Sequence, residues 1–328
     1  MKITMAHGSG GKATSDLIKN IFAKHLHNPV LARMEDSAVV KGANIIAMTT
    51  DSFVVTPLFF KGGDIGKLAV CGTVNDLAMS GAVPKYLTCG FILEESADTD
   101  DIERIVISMA MTAIEAGVIF VAGDTKVIEG KGGIYLNTSG VGFLSGNENI
   151  SSANCKQGDV VILSGNLGDH HATILSARMN ITNSIESDCA PLNEITKKLL
   201  ENSIRIKFMR DVTRGGLATV LNEFAVSSKC CIMLQEEHIP VLEQVRGFCD
   251  ILGLDPIYMG NEGKMVSIVA REDAQKALDI IRSCRYGENA AIVGEVISGE
   301  ENTVLMKTSV GGTRIVPELF GESLPRIC

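Results

Sequence analysis

Short β-forming runs alternate with helix-length segments along this sequence, and that alternation most limits how the chain can fold. Segments 38–40, 45–50, 118–123 and 159–164 are rich in Val, Ile and Ala and predict strands. Segment 98–115 opens with the helix cap Asp-Thr-Asp and is followed by Gly117, a typical helix stop. Aromatic residues make up only 5% of the chain and glycine numbers 33, so small and aliphatic side chains must fill the core. We therefore predict an α/β protein with tightly packed layers.

The length of 328 residues suits two domains of ordinary size, each with its own hydrophobic core. The chain turns polar around residues 147–157, and we place the domain boundary there. The prediction is an N-terminal domain over 1–150, a C-terminal domain over 151–310, and a flexible tail over 311–328 that opens with a Gly-Gly pair.

Charge and composition argue against several classes of function. A formal net charge of −9 disfavours a general nucleic-acid surface, and a nucleotide ligand would need metal ions or a local basic pocket. No apolar run approaches the ~20 residues of a membrane span, and the N-terminus lacks the apolar core of a signal peptide. The nine cysteines show no C-x-x-C spacing, so neither a zinc site nor a disulfide framework is expected. We expect a cytoplasmic protein.

A glycine-rich loop from His7 to Lys12 lies near the N-terminus. It is not a P-loop, because alanines stand where the Walker A motif has its first glycine and its hydroxyl residue. Consecutive glycines can still offer backbone N–H groups to a phosphate, with a lysine as counter-charge. A mobile terminal loop is the alternative. The residues predicted to contact phosphate are Gly8, Gly10, Gly11 and Lys12.

Acidic residues close to the predicted strand ends are candidates for a metal site. Asp36 precedes the apolar run 38–40, and two further aspartates follow the runs 45–50 and 118–123. Ligands collect beyond strand ends in layered α/β folds, and carboxylates there suit Mg²⁺, which prefers oxygen ligands. A single aspartate in such a place is more often a turn or cap residue, so a site requires several to converge. The predicted metal ligands are Asp36, Asp51, Asp76 and Asp124, and the last three are also predicted to bind nucleotide.

The helix predicted over 68–80 has an unusual centre. Asp64 is a plausible N-cap and Gly81 a plausible C-terminal stop. Between them, Gly72 and the pair Asn75-Asp76 interrupt an apolar stretch, although glycine inside a helix costs about 1 kcal/mol relative to alanine. Functional residues are expected where local rules are broken. We therefore favour a functional role for Asp76 over a structural one.

Further polar residues are candidates for phosphate binding and proton transfer. Lys126 could contact phosphate, or could form a surface ion pair with the nearby Asp124. Arg214 lies in the turn Arg-Asp-Val-Thr-Arg-Gly-Gly, which leads into a helix and suits phosphate. Glu262 is the first candidate for a general base and His170 the second. An exposed turn carboxylate and a structural histidine are the alternatives.

Cys328, the last residue of the sequence, follows the run Leu-Pro-Arg-Ile. A thiol at this place has no evident packing role, and we interpret it as the group that carries the substrate. The alternative is a frayed terminal residue without function. An extended chain from Thr313 to Cys328 would reach up to ~50 Å.

These motifs together resemble the HypE family of hydrogenase maturation factors, which belongs to the PurM-like superfamily. The resemblance covers nearly the whole chain and is most specific in the C-terminal Pro-Arg-Ile-Cys. Lys61 and His171 depart from residues common in the family, Pro and Gly respectively. The matching segments are 7–12, 50–57, 62–70, 72–82, 123–127, 210–216, 261–264 and 325–328.

The resemblance implies a two-domain PurM-like fold whose N-terminal sheet pairs with its twin in a homodimer. It implies an enzyme that uses ATP and Mg²⁺ to dehydrate a carbamoyl group on Cys328 to a thiocyanate. The carbamoyltransferase HypF would supply that group, and the HypC–HypD complex would take the cyanide to the iron of [NiFe]-hydrogenase. In this scheme the aspartates would hold Mg²⁺ and ATP, Lys126 would contact phosphate, and the 7–12 loop would fold over the nucleotide.

Two other functions remain open from the sequence. A selenophosphate synthetase or thiamine-phosphate kinase would share the aspartate-rich site but would not need a terminal cysteine. A non-enzymatic scaffold or metal carrier with a thiol tail would need no nucleotide.

Overall fold

The structure, a computed structural model, describes residues 1–35, 37–146, 148 and 150–319, and the statements below concern these residues. The N-terminal part is built on a four-stranded sheet of order β1-β6-β4-β5. Strands β4 and β5 are parallel and the other pairs are antiparallel. A short hairpin precedes the first long helix. The strands are β1 (Ile45–Phe53), β2 (Phe59–Phe60), β3 (Gly63–Asp64), β4 (Val83–Glu94), β5 (Ile119–Ile128) and β6 (Ile134–Leu144).

Two long helices, α3 (Ile65–Met79) and α4 (Thr99–Ala116), cover one face of this sheet. Asp64 caps α3 by accepting hydrogen bonds from the backbone N–H groups of Gly66 (2.7 Å) and Lys67 (3.0 Å), as predicted. Gly66 lets the two helices approach closely, because a Cβ there would lie 2.5 Å from a backbone oxygen of α4. The chain before β1 forms α1 (Lys12–Leu17) and α2 (Ala23–His25), joined by a π-helical turn.

The opposite face of the four-stranded sheet is left uncovered by the residues that the structure describes. Met48 is 70% exposed there, and Ile46 and Ile92 are also exposed. Alternate residues of a strand face opposite sides of the sheet, so these side chains point away from α3 and α4. Exposed apolar side chains on an uncovered sheet face are typical of an interaction surface.

The C-terminal part is built on a seven-stranded sheet of order β13-β12-β9-β11-β7-β10-β8. The interior strand β7 has no exposed residue, because Val161 faces a core that contains α7 and Ile162 faces a core that contains α6 and α9. The strands are β7 (Val160–Leu163), β8 (Ile206–Asp211), β9 (Cys231–Gln235), β10 (Met265–Val269), β11 (Ala291–Ile297), β12 (Thr303–Lys307) and β13 (Thr313–Ile315). The helices are α5 (Asp169–Arg178), α6 (Asn193–Glu201), α7 (Gly216–Ser228), α8 (Glu243–Leu252) and α9 (Ala274–Arg282).

Helix α3 also packs against the C-terminal part, where it contacts α6 and β8. Buried Asn75 makes this junction specific. Its side-chain oxygen accepts from the backbone N–H of Leu192 (2.8 Å), and its amide donates to the carbonyl of Ala190 (3.1 Å). Of the unusual pair Asn75-Asp76, the asparagine therefore has a structural role.

Most predicted helices and strands are present, and the differences are local. Residues 38–40 do not form the predicted strand. Asp51 and Asp124 lie inside β1 and β5, so the prediction that they follow strand ends is wrong. Residues 313–316 lie in the predicted flexible tail, but they are ordered by the sheet, because β13 pairs with β12 and Val316 is buried. The predicted domain boundaries stay a prediction.

We expect Asn75→Ala to lower the free energy of unfolding by about 2–3 kcal/mol, because it leaves a buried N–H and a buried carbonyl without partners. Urea denaturation measures this change. Asn202→Ala is the matched control, since that amide is exposed and bonds only within its own helix turn (3.0 Å to the carbonyl of Lys198). Equal losses in the two variants would contradict a role for Asn75 in joining the two sheets.

Candidate functional site

A polar cavity of about 310 Å³ lies where β1, α3, β8 and the loop before α7 meet. It contains both acidic and basic side chains, as a site for a phosphorylated ligand with a cation requires. Thr50 and Ser52 line the cavity together with Asp51, so it extends around the free edge of β1. The charged residues in its lining are Asp51, Asp76, Asp211, Glu223, Glu262, Arg210 and Arg214.

Asp51 and Asp76 meet because β1 runs alongside α3. Thr49 and Asp51 alternate with outward-facing residues on β1 and so face the helix. The Thr49 hydroxyl donates a hydrogen bond of 2.7 Å to Asp76 Oδ2. Gly72 permits this approach, since a Cβ there would lie 2.9 Å from the ring of Phe53 and 3.5 Å from Asp51 Oδ2. The mid-helix glycine thus has a packing reason at the edge of the site.

Asp211 completes an acidic group at the end of β8. Burial raises its pKa to about 7, and the nearby charge of Asp76 adds to this, while Arg210 opposes it. Burial also raises the pKa of Asp51, with a further contribution from Asp76 and opposition from Arg214. A carboxyl whose pKa is raised by neighbouring negative charge favours a nearby cation. Sequence reasoning missed Asp211, although it lies in the motif that contains Arg214.

Two arginines approach the acidic group, but they differ in their partners. Arg210 Nη1 forms an ion pair with Glu223 at 3.2 Å. Arg214 makes no ion pair with any residue that the structure describes, although its charge acts on Asp51. Arg214 is therefore the cation that a phosphate entering the cavity would meet.

Glu262 lies at the inner end of the cavity and is only 4% exposed. Its backbone N–H donates to Asp188 Oδ1 at 3.1 Å, which fixes this turn. Burial raises the pKa of the Glu262 carboxyl well above its usual value, and Cys189 and Asp211 raise it further. The alternative of an exposed turn carboxylate is thus excluded. A buried carboxyl with a raised pKa, next to a ligand cavity, is suited to accept a proton.

His170 does not line this cavity. It is fully buried, its Nδ1 lies 2.8 Å from the hydroxyl of Ser187, and its ring meets Phe60 edge to face. Its neighbour His171 is also buried, and burial lowers its pKa to about 4. Both histidines thus have the surroundings of structural residues.

The other predicted residues lie on the far edge of the four-stranded sheet. Lys126 Nζ is 2.9 Å from Asp124 Oδ2, and both side chains are about two-thirds exposed. The glycine-rich loop lies against β5, since a Cβ on Gly8 would sit 2.8 Å from the backbone nitrogen of Val127. Next to it, an apolar cavity of about 280 Å³ is lined by Phe22, among others, and by Asp124 at its rim.

The chain therefore brings together only part of the predicted site. Asp51, Asp76, Arg214 and Glu262 converge. Strands β1 and β5 are the two edges of the sheet, so Asp124 and Lys126 lie at least three strand spacings away, about 14 Å. Within the described ranges no group of three or more His, Cys, Asp or Glu side chains is arranged to hold a metal ion. Two predicted site residues, Asp36 and Cys328, lie outside the described residues.

No helix in the described part of the chain is long and apolar enough to cross a membrane. Two family models match the sequence. The N-terminal domain of AIR synthase related proteins matches residues 34–144, and the C-terminal domain matches residues 156–307. This agrees with the predicted PurM-like fold.

Curated relatives match over the full length. The chain is 45% identical to the carbamoyl dehydratase HypE of Rhodobacter capsulatus, over 100% of this chain and 98% of that protein. It is 43% identical to the carbamoyl dehydratase HypE of Escherichia coli strain K12, over 99% of each.

Solved structures give the same result. A HypE structure in complex with ATP superposes with a TM-score of 0.95 at 44% identity and covers 99% of both chains. HypE in a HypE–HypF complex superposes with a TM-score of 0.81 at 47% identity, over 92% of this chain and 99% of that one. A thiamine-monophosphate kinase from Stenotrophomonas maltophilia K279a shares the fold at 19% identity, with a TM-score of 0.68 over 88% of this chain and 95% of that one. The chain therefore belongs to the HypE family of carbamoyl dehydratases, among the AIR synthase related proteins.

Proposed function

We propose that this protein is an ATP-dependent carbamoyl dehydratase that converts a carbamoyl group on the thiol of Cys328 into a thiocyanate. The main support for the proposal is a single cavity that contains the buried carboxyl of Glu262, an acidic group and Arg214, which forms no ion pair with the described residues. Full-length similarity to proteins named carbamoyl dehydratase, and to a HypE structure that holds ATP, supports it. The thiocyanate would supply cyanide for the iron of a [NiFe]-hydrogenase.

The proposed reaction gives a role to each group of residues in the cavity. The carbamoyl oxygen attacks the γ-phosphorus of ATP and ADP leaves. Phosphate then leaves the carbon while the nitrogen loses both protons, which gives the C≡N bond. Arg214 would neutralise charge on the transferring phosphoryl group, and Glu262 would accept a proton from the nitrogen. Asp51, Asp76 and Asp211 would orient the phosphates through a cation rather than directly, since carboxylates repel them.

We propose that these carboxylates hold magnesium once ATP is bound, since the three alone are not arranged as a metal site. Asp51, Asp76 and Asp211 line one cavity, and the charge of Asp76 adds to the effect of burial in raising the pKa values of Asp51 and Asp211, which a cation would oppose. Bound Mg²⁺ would screen the phosphate oxygens during transfer. Asp36 and Asp124 remain predicted additional ligands.

The remaining predicted residues would join the site through a second copy of the chain. The uncovered sheet face exposes several apolar side chains, and two copies packed through it about an axis along the strands would lay the β5 edge of one over the β1 edge of the other. Asp124, Lys126 and the loop with Gly8, Gly10, Gly11 and Lys12 would then approach the cavity of the partner. The apolar cavity beside the loop would take the base of ATP.

The partners follow from the same reaction. A related HypE has been crystallised with HypF, and we propose that HypF transfers the carbamoyl group to Cys328 here as well. The HypC–HypD complex would receive the cyanide. We expect both exchanges to take place in the cytoplasm.

The direct test uses cyanate, which carbamoylates thiols without any partner protein. After treatment of the protein with cyanate, addition of ATP and Mg²⁺ should remove the mass of one water from the C-terminal peptide in a mass spectrum. Cys328→Ala should abolish both the modified peptide and the ATP hydrolysis that depends on it. Equal ATP hydrolysis in Cys328→Ala would favour a kinase of the same fold, and absence of nucleotide binding would favour a scaffold.

Glu262→Gln should lower the rate of dehydration by about 10²–10⁴-fold, the usual contribution of a general base, while ATP still binds. Because the pKa of Glu262 is raised, the wild-type rate should increase with pH through a midpoint above the ordinary glutamate value. The folded state holds that proton more tightly than the unfolded chain does, so wild-type stability should fall with rising pH relative to the variant. Rates and urea unfolding at several pH values measure both effects. An unchanged rate would remove Glu262 from the reaction.

A mixed-dimer experiment tests the shared site. Asp76→Asn and Asp124→Asn should each abolish ATP turnover but leave the melting temperature within the range of the wild type. When the two variants are refolded together, half of the dimers are mixed and each mixed dimer has one intact site, so about a quarter of wild-type activity should return. No recovery would place both residues in a site within one chain. Full activity of Asp124→Asn alone would remove that residue from the site.

A further inference from the structure

Two pairs of cysteine thiols are neighbours within the described part of the chain. The two pairs differ in their accessibility to solvent. The side chains of Cys155 and Cys230 are close enough to affect each other's pKa, and both are partly exposed. The side chains of Cys71 and Cys189 are also neighbours, but both are buried. Only the first pair is open to reagents in solution.

The first pair links two separate elements. Cys155 directly follows the 3-10 turn Ser152–Asn154, in the segment that connects the two sheets. Cys230 follows the end of α7, one residue after Lys229, whose φ of 52° turns the chain back toward β9. The 3-10 turn packs against α7 and β8, so the contact between the thiols is part of a larger interface.

Access to the pair comes from a surface cavity of about 620 Å³. Cys155 lines this cavity next to Lys156 and Lys207. The catalytic cavity has a different lining and shares no residue with it. The pair is therefore outside the site proposed for ATP.

We propose that Cys155 and Cys230 form a reversible disulfide when hydrogen peroxide reaches them, and that this pair is an oxidation site separate from the catalytic cavity. This role is independent of the dehydratase reaction and makes no use of Cys328.

The reaction balances with peroxide as the only oxidant. The Cys230 thiolate attacks one peroxide oxygen, which forms an S–O bond, breaks the O–O bond and releases hydroxide. The Cys155 sulfur then attacks the sulfur of this sulfenic acid, forms the S–S bond and releases water. Peroxide is reduced to two waters and the two thiols are oxidised, and a dithiol reductant restores them.

The surroundings favour Cys230 as the attacking thiol. Cys155 donates a hydrogen bond to it and the Ser228 hydroxyl lies 3.0 Å from its sulfur, so both favour the thiolate. These contacts lower the pKa of Cys230 to about 7, although burial and the charge of Asp159 oppose the change. The charge of Lys207 acts on the Cys155 side of the pair. A thiolate in contact with a second thiol is the arrangement of a peroxide-sensitive pair.

The disulfide would fix the connecting segment to α7. Since the two thiols are already neighbours, oxidation should not displace β8 or the loop before α7, which carry Asp211 and Arg214. We therefore expect ATP turnover to persist, and the oxidised protein to melt at a higher temperature because the cross-link restricts the unfolded chain.

The test exposes the full-length protein to hydrogen peroxide at pH 7 and maps its cysteines by peptide mass spectrometry. A cross-linked peptide pair containing Cys155 and Cys230 should form at least about tenfold faster than glutathione oxidises under the same conditions. Cys155→Ser keeps a hydroxyl donor but removes the second thiol, so dimedone should trap a sulfenic acid on Cys230. Cys155→Ala removes the donor as well, and its Cys230 should react more slowly than that of Cys155→Ser.

Three results would overturn the proposal. The first is oxidation of Cys230 no faster than that of glutathione. The second is a disulfide between Cys230 and a cysteine other than Cys155. The third is oxidation of the buried pair Cys71–Cys189 to the same extent as the exposed pair. All three results are read from the peptide map of the wild-type protein, so the test remains valid even if a variant fails to fold.

Discussion

Helix α3 packs between the two sheets, and this packing fixes where Asp76 lies relative to the other residues of the site. Gly66 brings it against α4, and Gly72 brings it against the ring of Phe53 on β1. Asn75 joins it to the C-terminal part through two hydrogen bonds of 2.8 and 3.1 Å. Asp76 is the next residue and faces the cavity. A helix fixed on three sides can hold a carboxylate at a defined place, whereas a loop would have to be ordered first.

The electrostatics of the cavity oppose the stability of the folded chain. Burial raises the pKa values of Asp51, Asp211 and Glu262, which means that folding makes their ionisation less favourable. Packing elsewhere must offset this cost, and both sheets have large apolar cores that can do so. In the proposed function, a cation bound between the carboxylates would relieve part of this cost.

The sequence predicted the local features well, because caps and stops depend on a few neighbouring residues. The Asp64 cap, the left-handed Gly117 and the helices they bound are present. The α/β class and the family were also confirmed. The predicted ends of β1 and β5, at Asp51 and Asp124, were wrong. Exposed strands continue through polar residues, and periodicity does not mark where they end. Asp211 was missed for another reason, since its convergence with Asp76 depends on how β8 and α3 are juxtaposed, which no local pattern encodes.

The division of the predicted residues between two sheet edges has the same physical origin as the uncovered apolar face. One chain leaves Met48 and its neighbours exposed on that face and separates Asp124 from Asp76 by the width of the sheet. Burying the face against a second copy would remove apolar surface from water and, by two-fold symmetry, would bring opposite edges together. In the proposed dimer, association and completion of the ATP site are therefore a single event. A monomer would keep Glu262 and Arg214 in place but would lack the residues that the β5 edge contributes.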